Sequence, residues 1–428
     1  MSHVHVFHRS ADTKPDLEKE TSPWVHTPNT ESLLRLPCEY EYESRQAGQD
    51  VALTMCISKE DGEYLFTVAD GHGNNGDHHA YVATRLLVRQ GLDCLPALRA
   101  ALSAQDQRLI SDLVQQMYEH TQETMRNHHL FPTLLYSGGT TMSITFVLRC
   151  GSRRYLIGTN VGDSPILWSP TEGVVKELST DHSCDNLDAV EQYLRHCRHA
   201  GLPPKPVVYG RINCPNGTRS NHPAFCDTNG VPQPIPVWRY YGTQVALNRE
   251  NYQTLVAMGV PVGKQSVREP PTYIRPDGLR SACTGHEHEN WGSTLAGGPQ
   301  NLKALGDFHT DGHLSSVPDV TIKDITDGGQ LLMMSDGMSD PFQWEDLMDW
   351  FWLNDNVYTF YQHLFQTAER LDDQYHSRVV NGLRHPTWDD VSGIFVKFEP
   401  LPDSEALVYP PNASPTSTVD PRKERFKL

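Results

Sequence analysis

Three apolar runs in this 428-residue chain end or begin at aspartate. FTVAD closes on Asp70, LLMMSD closes on Asp336, and the pair Asp389 and Asp390 stands just before VSGIFVKF. Buried strands that bring carboxylates to one end concentrate negative charge, which is costly there unless cations neutralise it. The chemistry suggested is the binding of hard divalent ions by oxygen ligands. A single Asp-Gly is an ordinary turn signal. Context sets these apart: Asp70 precedes Gly-His-Gly and Asp336 precedes Gly-Met-Ser-Asp, each after a near-continuous hydrophobic strand.

The elements that must position these groups are legible as patterns. Val51, Leu53, Met55 and Ile57 alternate with small or polar residues, and EYLFTVAD follows the turn residues Glu60, Asp61 and Gly62, which predicts a hairpin. TTMSITFVLRC, RRYLIGTNV, GQLLMMSD and VSGIFVKF read as further strands. Helical spacing runs over 79–102, 105–128 and 344–383, and a helix capped by Asn186 places Leu187, Val190, Leu194 and Cys197 on one stripe and stops at Gly201. Hairpins outnumber regular strand-helix-strand alternation, so the fold class is α+β with a largely antiparallel sheet.

Residues 1–30 read as a polar tail, and residues 401–428, with the basic finish PRKERFKL, as another. The folded domain is expected over 31–400. It carries a long insert over 202–291, rich in Pro, Asn, Gly and Tyr and without a long periodic segment, which is expected as loop. Within it Cys214, His222, Cys226, Cys283, His286 and His288 match no standard zinc-finger spacing. The formal net charge of −17 disfavours nucleic acid and anionic membranes as partners. No run approaches the roughly 20 apolar residues that span a bilayer. The start of the chain has no secretory pattern, and nine scattered cysteines without a Cys-x-x-Cys pair fit reduced thiols, so cytoplasm or nucleus is expected.

Eight short segments, in order, resemble the motifs of the metal-dependent protein phosphatases, PPM or protein phosphatase 2C. They are VADGHG, SGGTTMSI, NVGDSPI, LSTDH, KALGDF, SSVPDV, LLMMSDGMSD and DDVSGIFV. The resemblance runs from about Arg45 to Phe398. It implies a central antiparallel β-sandwich flanked by helices, a four-layer αββα arrangement, with the site at one end of the sandwich. It implies a monomeric hydrolase of phosphoserine and phosphothreonine esters in phosphoprotein substrates, acting by direct attack of water bridging two Mg²⁺ or Mn²⁺ ions. The metal ligands it carries over are Asp50, Asp70, the Gly71 carbonyl, Asp336 and Asp389, with Asp163 and Asp340 for a third ion. Arg45 matches the phosphate-binding arginine, and His72 the general acid that protonates the departing oxygen.

Four positions depart from the pattern. Gln49 stands where a glutamate is usual, Lys303 and Pro165 where arginines are, and Asp390 where asparagine is. Gln49 supports the rival from another class, a pseudophosphatase that binds partners without turnover. The retained aspartates oppose it. A covalent cysteine mechanism needs arginine six positions after the nucleophile, and none of the nine cysteines has one.

Overall fold

The structure, a computed structural model, describes residues 3–9, 34–73, 75–128, 135–136, 138–183, 186–203, 301–339, 344–353 and 390–401, with the backbone of short strands within 207–295 and 378–385. The predicted hairpin forms as β3 (Asp50–Ser58) and β4 (Glu63–His72), antiparallel with Asp50 opposite Asp70. To it are added β2 (Glu41–Ala47), β5 (Gly139–Thr140), β6 (Met142–Cys150) and β7 (Arg153–Val161). With β10 (Leu305–Gly306) and β11 (Asp319–Asp324) they form an eight-stranded sheet. The second sheet has five strands, in the order β1 (His3–Arg9), β13 (Val391–Phe398), β12 (Gly329–Met334), β8 (Ile166–Ser169) and β9 (Lys176–Glu177). Every pairing between these strands is antiparallel.

Side-chain alternation builds the layers. Ala52, Phe66, Val68, Val147 and Leu156 of the large sheet meet Ile166, Trp168, Leu331, Met333, Ile394 and Val396 of the small one, the core of a sandwich. The residues between them in sequence, such as Val51, Leu53, Leu65, Ile144 and Phe146, face the helices α1 (Gly76–Ser103) and α2 (Gln107–Asn127). Both faces of these strands are therefore buried, which is why they read as continuous apolar runs. The Asn186-capped helix forms as α3 (Leu187–Ala200), and on the far side α5 (Trp344–Leu353) packs on the small sheet, with Phe351 stacked on Phe395 at a ring separation of 4.1 Å. The architecture is α+β and antiparallel, as expected. No helix among the described residues is long and apolar enough to cross a membrane.

Tyr118, on α2, is fully buried with its hydroxyl 2.9 Å from Thr159 Oγ1, and burial pushes its phenol far up in pKa. Tyr118→Phe should leave the Thr159 hydroxyl short of a partner and cost about 1–2 kcal/mol, read as a lower denaturant midpoint at unchanged activity.

Three expectations need correction. His3–Arg9 is an edge strand paired along its length with Val391–Lys397, so the fold begins inside the presumed N-terminal tail. Its alternation of His with Val is a strand period masked by polar composition. The expected helix over 344–383 does not run through, because Arg378–Val380 and Leu383–His385 form an antiparallel pair. The insert is not all loop. Val207–Asn213 pairs with Arg219–Pro223 and Thr294–Leu295, and Tyr240–Tyr241 with Gln244–Val245 and Thr272–Ile274 with Arg280–Ala282 form two further antiparallel pairs. Its candidate zinc residues and the end of the chain from 402 lie outside the residues described with side chains.

Candidate active site

Asp50 and Asp70 are direct cross-strand partners, next to the Ala52–Val68 pair that faces the sandwich core. By strand alternation both carboxylates occupy that same face, at the end of the sandwich. Asp50 is buried at 1% exposure. Like charges directly opposite each other oppose pairing, so the register itself favours a cation between them. The main chain at Asp70 is fixed by the SGGTT segment. Its carbonyl accepts from Thr141 N at 2.8 Å and Thr140 Oγ1 at 2.9 Å, and its N–H donates to Thr141 Oγ1. Thr141 Oγ1 lies 2.7 Å from Ser164 Oγ, which couples Asp70 to the GDS segment. Gly71 leaves no space for a side chain, since a Cβ there would lie 2.2 Å from the Gly76 carbonyl oxygen.

The GDS segment carries the chain from β7 in the large sheet to β8 in the small one. Within it Gly162 has φ +93, and its carbonyl accepts from His182 N–H, His182 Nδ1 and Asn160 Nδ2 at 3.0–3.2 Å. Asp163, the next residue, accepts from Asn301 Nδ2 at 3.2 Å. His182 Nε2 in turn reaches Asp319, which also accepts from Lys303 Nζ at 2.7 Å and Gln192 Nε2. The LSTDH, KALGDF and SSVPDV segments thus form one ion cluster behind the Asp163 loop. Burial alone would raise the Asp319 carboxyl, but the His182 hydrogen bond and the Lys303 charge hold it well below the usual range. Burial pulls Lys303 down against the opposing pull of Asp319, so both members of the pair carry a desolvation cost.

The small sheet contributes Asp336, first residue of α4 (Asp336–Ser339), and Asp390, just before β13. Asp390 Oδ2 accepts from the backbone N–H of Gln49 at 2.8 Å, a bond that ties the two sheets at the site. Gly48 sits beneath that carboxylate with φ +57, where a Cβ would lie 2.0 Å from Asp390 Oδ2. Only glycine fits there. Asp390 therefore clamps the turn between β2 and β3. Gln49 is also spent on the loop, donating from Nε2 to the Gly73 carbonyl and accepting at its own carbonyl from Gly71 N–H.

His72, at the end of β4, has Nε2 at 2.7 Å from Asp307 Oδ2. Burial would lower its pKa, but the charge and hydrogen bond of Asp307, with Asp163 behind, outweigh it and hold the ring above the ordinary value. Asp307 was not singled out from sequence, although it lies in KALGDF directly after a glycine. Arg45 lies on β2 opposite Ala52, half-exposed, with Nε on Glu43 Oε1 at 2.9 Å.

Asp50, Asp70, Gly71, His72, Asp163 and Asp336 are thus gathered from both sheets toward one end of the sandwich, whereas Asp340 and Asp389 lie outside the described residues. Among the described residues no three Asp, Glu, His or Cys side chains stand close enough to hold an ion as they are. The donor chemistry still fits a hard divalent ion: it is all oxygen, with two carboxylates in direct register and the Gly71 carbonyl next in the chain.

Residues 41–196 match the family model for protein phosphatase 2C. No curated protein matches the chain. Among solved structures, a C. elegans sex determining protein is 16% identical with a TM-score of 0.47, over 84% of this chain and 65% of that one. A serine-threonine phosphatase 2C from Toxoplasma gondii is 14% identical with a TM-score of 0.47, over 84% of this chain and 94% of that one. A Mycobacterium tuberculosis serine/threonine phosphatase is 16% identical with a TM-score of 0.39, over 84% and 98%.

Proposed function

We propose that this chain, whose residues 41–196 match protein phosphatase 2C, is a Mg²⁺- or Mn²⁺-dependent hydrolase of phosphoserine and phosphothreonine esters in proteins. The observation that carries this is the direct register of Asp50 with Asp70 at the sandwich end, beside the His72–Asp307 pair. Asp50, Asp70, the Gly71 carbonyl, Asp336 and Asp389 would hold two core ions, with Asp163 and Asp340 for a third. When bound, these ions supply water activation and Lewis acidity at the phosphoryl oxygens.

The protein's own groups do the rest. His72 gives a proton to the departing serine or threonine oxygen. The Asp390 clamp and the Thr141–Ser164 link hold the strand ends in place from two sides. Arg45 is the positioning cation for phosphate, its fork suited to two phosphoryl oxygens. Arg45→Ala should raise KM on a phosphopeptide about tenfold with a smaller fall in kcat, and the reverse split would remove it from that role.

The test is hydrolysis of a phosphoserine peptide with Mn²⁺, with and without chelator; no chelator-sensitive turnover would overturn the proposal. One observation favours a second reading, a binding protein without turnover: Gln49 replaces a carboxylate, and its amide is committed to the Gly73 carbonyl. Phosphopeptide binding without hydrolysis would select it. Nine cysteines scattered without a Cys-x-x-Cys pair support a reducing compartment, cytoplasm or nucleus, as the place of action.

A further inference from the structure

We infer that Asp307 is a positioning residue for the reaction, holding the His72 ring so that Nδ1, not Nε2, meets the departing oxygen; this rests on the hydrolase reading above. The Asp307 side chain is 2% exposed, while the His72 ring it holds is 30% exposed. A carboxylate only accepts, so at 2.7 Å the shared proton belongs to Nε2. The nitrogen left for a substrate is Nδ1.

Asp307 is itself held on every side. Its N–H donates to the Gly138 carbonyl at 2.7 Å, and its carbonyl accepts from Thr310 N–H and Oγ1 at 2.9 and 2.8 Å. Gly306, the preceding residue, exchanges two hydrogen bonds with the side chain of Gln122 on α2. The residue adopts φ 48, uncommon for anything but glycine, and is kept there by these bonds. Gly139 completes the seat, for a Cβ there would lie 2.3 Å from Asp307 Oδ2 and 2.8 Å from His72 Nε2. His309 Nδ1 also lies near the carboxylate, but at 3.8 Å from Oδ1 it is beyond hydrogen-bond range.

In the step served, hydroxide, left when water gives one proton to solvent, bonds to phosphorus as the bond from phosphorus to the serine oxygen breaks. The electron pair goes to that oxygen, which takes the Nδ1 proton. Asp307 keeps the other proton on Nε2 throughout, which fixes the tautomer of the neutral ring.

The test is a double-mutant cycle of His72→Gln and Asp307→Asn in the full chain with Mn²⁺, on a phosphoserine peptide and on nitrophenyl phosphate. Asp307→Asn should lower kcat on the peptide about tenfold or more, with little loss on nitrophenyl phosphate, whose leaving group needs no proton. In the His72→Gln background the same change should cost less than about twofold, as expected when two residues act as one unit. An undiminished cost there, or equal losses on both substrates, overturns the positioning role alone. A wild-type protein that hydrolyses neither substrate overturns the hydrolase reading and this inference with it. If Asp307→Asn fails to fold, Gly139→Ala probes the same seat and should show the same leaving-group-selective loss; equal losses on both substrates again overturn the role.

Discussion

Asp70→Asn is expected to lower Mn²⁺-dependent turnover by more than about a hundredfold, the upper end of what losing a partner outside the ligand set costs a metal site. The substitution keeps volume and one oxygen but removes the charge that a shared ion needs. The fold should not suffer. Asp70 is anchored through its main chain, to Thr140 and Thr141, and those bonds do not involve the carboxylate. Removing one of two like charges in direct register with Asp50 relieves repulsion, so the metal-free unfolding midpoint should hold or rise. Asp336→Asn, from the opposite sheet, should behave alike. Turnover within a few-fold of wild type, with metal dependence intact, would remove Asp70 from the ligand set.

The central strands β3, β4, β6, β7, β12 and β13 were legible because burial on two faces makes them near-continuous apolar runs, and the aspartates at their ends stood out against that background. His3–Arg9 was not, since its strand period is carried by His and Val in a segment whose overall polarity reads as tail. The helical spacing over 344–383 holds for Trp344–Leu353 but not for Arg378–Val380 and Leu383–His385, short segments in which period alone does not distinguish helix from strand. Among site residues, chemistry was easier to read than support. Asp70 and Asp336 declare themselves by type and context, and Asp50 and His72 enter through the motif resemblance, whereas Asp307 and the clamping role of Asp390 depend on contacts across 235 and 341 residues of chain, which no local pattern records. Gly48 and Gly139 belong to the same class, for each is required by a carboxylate distant in sequence.

The ion cluster behind the Asp163 loop should dominate stability more than any group in the site. Asp319 accepts from Lys303, His182 and Gln192, and Lys303 is only 8% exposed. Asp319→Ala strands that ammonium in the interior, a change that costs about 3–5 kcal/mol and should lower the thermal midpoint by on the order of 10 °C. The acid limb supplies a second signature. Because the folded-state pKa of Asp319 is depressed, its contribution is present above the unfolded carboxylate value of about 3.9 and is lost as pH falls through the lower folded value. Lys303 stays protonated across that window and adds no slope there. In Asp319→Ala the wild-type loss of stability below about pH 4 should be shallower. Stability of the variant should instead recover toward alkaline pH, where the stranded lysine sheds its proton. Adding Lys303→Met to Asp319→Ala removes the buried charge and should recover most of the loss, while His182, deprived of its acceptor, keeps the recovery incomplete. Because His182 also holds the Gly162 carbonyl beside Asp163, the pair of changes should still weaken activity after stability returns. A thermal midpoint for Asp319→Ala within about 2 °C of wild type would show that the cluster is not what braces the Asp163 loop.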